Sequence, residues 1–147
     1  MNETTVDTVL NQVTTAMDSG SFDLALMYID QAPEFADVPM VISCRAYCMA
    51  KGQGRIRDAI ALCRDTIQQD PYDPRHYLIL GRLLLLSGQK AQAIKIFRAG
   101  LKHGRSSEII QELKNIGLRK TPVFSNVERS HPLNRITGRV LTRCGLR

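Results

Sequence analysis

The chain contains no tryptophan, and aromatic residues make up only 5% of its 147 positions. A core so poor in aromatics must be filled by Leu, Ile, Val, Ala and Met. That suits close helix–helix packing better than a β-sandwich, whose strands favour aromatic and β-branched residues. Long apolar runs are missing too. The longest, Leu83-Leu84-Leu85-Leu86, is far too short to span a bilayer. The first residues, Met1-Asn-Glu-Thr-Thr-Val-Asp, lack the positive start and apolar stretch of a secretory signal. A cytoplasmic location is therefore expected, and with it four reduced thiols at Cys44, Cys48, Cys63 and Cys144.

Basic residues are absent from positions 1–44, which hold seven acids; residues 45–97 carry a net +5 and residues 98–147 a net +8, within a total of +6. Such asymmetry can steer an acidic partner to the C-terminal end. Head-to-tail self-association and plain solubility are the blander readings.

The chemistry of an enzyme is also missing. Gly52-Gln-Gly54 is only a turn, with no Lys-Ser/Thr after it to complete a phosphate loop. No Ser or Cys stands in a recognisable nucleophile motif, and His76, His103 and His131 are scattered. Cys44 and Cys48 lie one helical turn apart. With Cys63 they lack the second ligand pair that zinc sites of this class show. No catalysis, metal or cofactor is expected. Cys44 and Cys48 read either as small helix-packing residues or as the source of an exposed, reactive thiol.

What is present is a period of 34 residues. Shifted against itself by that amount, the chain aligns Gly20, Gly54 and Gly88, and likewise Ala25, Ala59 and Ala93. Leu26, Ile60 and Ile94 form a third column, Ile29, Cys63 and Phe97 a fourth, and Ala16, Ala50 and Leu84 a fifth. The copies, at about 6–39, 40–73 and 74–107, need no gap. The glycine turns the chain out of a first helix, because it reaches φ > 0 without steric penalty. The alanine lets a second helix approach closely, and the larger residue four positions on fills the space beside it. Each copy therefore predicts helix–turn–helix.

The third copy, Tyr77-Leu-Ile-Leu80-Gly81-Arg-Leu-Leu84 followed by Ala93-Ile-Lys-Ile-Phe97, resembles the tetratricopeptide repeat. The second copy keeps Ala59 and a terminal Pro71. The first keeps Ala25 and Ala32, with Pro33 and Pro39 near its end. Val13 and Tyr47 replace glycine in the Gly81 column, and Arg105 stands where the pattern often has proline. The resemblance implies an all-α fold, a right-handed superhelix of helix–turn–helix units. Residues 106–117 form the polar-capped end helix that such arrays need, with Ser106 or Ser107 as its N-cap and Gly117 closing it. Residues 118–147 fit no repeat. They read as an extended connector and a short basic amphipathic helix. Leu133, Ile136, Val140, Leu141 and Cys144 line one face of it, and Arg135, Arg139 and Arg143 another. That helix either packs back on the repeats or binds nucleic acid or an acidic surface.

The resemblance further implies a concave groove built by the first helix of each pair. Mapped here, it draws on Asp7, Leu10, Thr14 and Met17, then Val41, Cys44, Cys48 and Lys51, then Arg75, Leu78, Arg82 and Leu85. Arg45 and Arg75 are placed to meet a carboxylate. The implied occupant is a peptide or helix of another protein, with apolar anchors and some acidic residues. Some family members clamp the C-terminal carboxylate of heat-shock chaperones. At the matching places this chain has Leu10, Thr14, Arg45, Arg75 and Ile79, and only the arginines agree. A protein-interaction adaptor is thus the first expectation. Nucleic-acid binding through the basic C-terminal half and a secretion-type chaperone are the alternatives.

Overall fold

The computed structural model describes residues 5–117. Those residues form seven α-helices and one short 3₁₀ turn, with no strand among them. The helices are α1 (Val6–Asp18), α2 (Phe22–Asp30), α3 (Pro39–Gln53), α4 (Ile56–Gln69), α5 (Pro74–Leu86), α6 (Lys90–His103) and α7 (Ser107–Asn115).

Local chemistry sets the boundaries. Thr5 caps α1 through its hydroxyl, which accepts from the Thr8 N–H. Asp73 caps α5 in the same way, accepting from the Arg75 N–H at 2.8 Å. Pro39 and Pro74 open α3 and α5 within the first turn, where a missing N–H costs nothing. After each first helix comes one member of the glycine column: Gly20, Gly54 and Gly88 have φ of 76°, 70° and 78°. These are left-handed values that a side chain would strain. The turn chemistry expected from the 34-residue period is therefore present in all three copies.

One element was not foreseen. A 3₁₀ turn, Pro33–Phe35, follows α2, which is only nine residues long against fourteen for α4 and α6. Pro33 cannot supply the N–H that would continue α2, so the chain leaves the helix early.

Helices pair as α1 with α2, α3 with α4 and α5 with α6, while α3 also lies beside both α1 and α5. This is the packing of an α-solenoid. The core is aliphatic, as the shortage of aromatics requires. Val13, Ala25, Ile29, Ala46, Ala59, Leu83 and Ala93 are fully enclosed, and Phe97 is the largest fully buried side chain among the described residues. In α7, Ile109 and Leu113 are buried. Ser106 rather than Ser107 caps that helix, accepting from the Ile109 N–H at 3.2 Å. Gly117 closes it at φ 67°. The compact unit ends at Leu113, and a second begins at Lys114. The connector and basic amphipathic helix expected at 118–147, with Arg135, Arg139, Arg143 and Cys144, lie outside the described residues.

Candidate functional site: a cleft across the first helices

A cleft of about 280 Å³ runs across the first helices of the three units. Thr14, Met17 and Asp18 of α1, Met40 and Cys44 of α3, and Arg75, Leu78, Ile79 and Arg82 of α5 line it, and Ser106 and Glu108 close it at the start of α7. Of the thirteen groove residues expected from sequence, six share this cleft: Thr14, Met17, Cys44, Arg75, Leu78 and Arg82, whereas Asp7, Val41 and Leu85 do not line it.

Four more lie elsewhere. Leu10 is half-buried in α1. Arg45 pairs with Asp30 at 3.0 Å. Lys51 places its Nζ 5.7 Å from the Phe22 ring centre. Both cations thus turn toward α2. Cys48 is wholly enclosed. Cys44 is enclosed too, each thiol being 0% accessible, which favours the packing reading over the exposed, reactive one. Burial pushes Cys44 up to about 12, Cys48 up to about 11 and Cys63 up to about 12. None is a thiolate at neutral pH, so none serves as a nucleophile there. They are small packing residues on α3 and α4.

Sequence reasoning missed Asp18, Met40, Ser106 and Glu108, and it met Ile79 only as a departure from the carboxylate clamp. Met40 stands one turn before Cys44, so the four-residue spacing could have found it. Ser106 and Glu108 come from α7, which lies outside the first-helix rule.

The electrostatics of the cleft differ from expectation as well. Arg75 was placed to receive a carboxylate from outside. It already binds one, with Nη2 2.6 Å from Asp73 Oδ2. Burial works against the Asp73 charge, but the guanidinium and backbone N–H of Arg75 outweigh it and hold the carboxyl below its usual range. Arg82 donates from Nε to Glu112 Oε1 at 2.6 Å. Glu108 is held below the ordinary carboxylate range by its own backbone N–H and by the hydroxyls of Ser106 and Ser107. The cleft therefore has an apolar floor of Met17, Met40, Leu78 and Ile79, and a rim whose arginines are neutralised from within the chain.

Residues 50–115 match the tetratricopeptide repeat. Those residues carry the tetratricopeptide-repeat signature. The tetratricopeptide-repeat domain of Sgt2 from Aspergillus fumigatus is similar in fold, with a TM-score of 0.57 at 19% identity, covering 88% of this chain and 92% of that one. No curated protein matches the sequence.

The repeat signature has a direct steric reading in the third unit. A Cβ on Gly81 would collide with the ring of Phe97, so glycine is what lets α5 lie against α6 at that level. In the second unit Tyr47 takes the glycine column opposite Cys63 in the aromatic column. Its ring turns aside to meet Phe22 edge-on, with centroids 6.1 Å apart. Among the described residues, no helix is long and apolar enough to cross a membrane.

Proposed function

We propose that this chain is a tetratricopeptide-repeat protein throughout, and a non-catalytic interaction adaptor that holds a segment of a partner protein in the cleft between α1, α3 and α5. One observation carries the reading: side chains from all three first helices converge on one cleft with an apolar floor. Stacked repeats characteristically offer such concave surfaces to other proteins. Met17 and Met40 give the floor unbranched, polarisable side chains that adapt to apolar anchors of varied shape. Because Arg75 and Arg82 are paired internally, an acidic residue of the partner must compete with Asp73 or Glu112. Affinity then rests on apolar anchoring, with charge setting orientation. The buried free thiols suit a reducing compartment such as the cytoplasm.

The test uses Met17→Glu and Thr14→Arg, which change the cleft wall at half-buried and exposed positions, with exposed Leu24→Glu on α2 as control. Partners captured by the wild-type chain should be lost by the first two variants and kept by the third. Identical partner sets for all three folded variants would place the binding surface elsewhere.

A further inference from the structure

The link between α4 and α5 reads Asp70-Pro71-Tyr72-Asp73-Pro74-Arg75-His76. It brings together Asp70, Asp73 and the imidazole of His76, with one potential ligand atom from each within 4.8 Å of the others. His76 is fully enclosed, and its Nε2 has no hydrogen-bond partner. Asp70 Oδ2 lies 3.5 Å from that nitrogen.

Hydrogen bonds beneath His76 hold its ring in place. Nδ1 lies 2.8 Å from the Ser43 hydroxyl, which lies 2.9 Å from the Thr66 hydroxyl. With Nδ1 engaged by Ser43, the ring turns its unpartnered Nε2 toward carboxylate oxygen. An imidazole anchored through one nitrogen and facing carboxylates with the other is the arrangement that orients metal-ligating histidines.

We propose that Asp70, Asp73 and His76 bind a divalent cation of the zinc class. One imidazole nitrogen and two carboxylate oxygens suit such an ion, with water completing the coordination. Ligands about 2.1 Å from a tetrahedral ion stand about 3.4 Å apart, so the carboxylates must close in by roughly 1 Å. Asp70 is half-exposed at the end of α4, and its side chain has room to do so. Arg75 is the competitor. Its guanidinium bonds both Asp73 oxygens, and the cation must displace it from at least one of them. Removing that positive charge should tighten cation binding, although the same change breaks an ion pair that the fold uses.

The experiment is calorimetric titration of the chelator-treated, reduced full chain with Zn²⁺. The expected result is one equivalent bound, at least about tenfold weaker binding in Asp70→Ala, and tighter binding in Arg75→Gln. Both substituted side chains reach solvent, and circular dichroism checks that each variant folds. Titration with Co²⁺ should give visible d–d absorption without a near-ultraviolet thiolate band. Equal affinity of Asp70→Ala and wild type, no heat up to millimolar zinc, or a thiolate–cobalt band would each overturn the assignment.

Discussion

Gly81 of α5 lies against the ring of Phe97 of α6 so closely that a Cβ would overlap three of its ring carbons. Phe97 is fully buried, and it cannot swing away without leaving a void. Gly81→Ala should therefore destabilise the fold by about 1–3 kcal/mol, despite the better helix propensity of alanine. Urea unfolding measures the change. Combining it with Phe97→Leu should cost less than the two single losses added, because the smaller side chain makes room for the methyl group.

The bond between Arg82 and Glu112 ties α5 to α7 at the edge of the cleft. Both side chains are partly exposed, so Glu112→Gln should cost at most about 1 kcal/mol, and less at high salt. Its effect on the cleft should be larger than its effect on stability. Arg82 then has no internal carboxylate partner at that bond, and a model peptide carrying an acidic residue beside an apolar anchor should bind the variant more tightly than wild type. Unchanged binding of that peptide would show that Arg82 does not take part in recognition.

The helix–turn–helix units were legible because each rests on local chemistry. Glycine at φ near 70°, a capping Asp73 and prolines at helix starts act over a few residues, and periodicity makes them visible. Nine-residue α2 was less so, since Pro33 ends it out of phase with the repeat. The cleft was only partly legible. Spacing along one helix put Thr14, Met17, Leu78 and Arg82 on one face, but it could not show that Cys48 is enclosed. Nor could it show that Arg45 turns to Asp30. Those outcomes depend on which neighbour each face meets, and that is set between helices. His76 makes the same point. In sequence it is a lone histidine, and only the fold sets it on Ser43, 33 residues away.

The enclosed thiols make stability depend on alkaline pH. Their folded values are raised by burial from 9.0 to about 12, 11 and 12 for Cys44, Cys48 and Cys63. An unfolded chain loses these protons near 9, whereas the folded chain keeps them. The stabilisation is thus complete below pH 9 and is lost as pH rises toward the folded values, at up to about 1.4 kcal/mol per pH unit for each thiol. Urea midpoints between pH 8 and 10.5 should fall, and a Cys63→Ala variant should fall less steeply. Parallel pH slopes for the two chains would remove Cys63 from the explanation.

The chain of hydrogen bonds from His76 through Ser43 and Thr66 to the Cys63 carbonyl lies wholly in the core. Ser43→Ala removes the partner of His76 Nδ1 and leaves that buried nitrogen unpaired. That costs about 1–3 kcal/mol. Thr66→Val keeps the shape and removes the hydroxyl paired with Ser43, while the bond between His76 and Ser43 survives. It should therefore be the milder change of the two. In the double variant the bond between Ser43 and Thr66 is already gone, so the combined loss should fall short of the sum. Chemical denaturation of the four chains measures that coupling, and strict additivity would mean that the bonds act independently rather than as a connected chain.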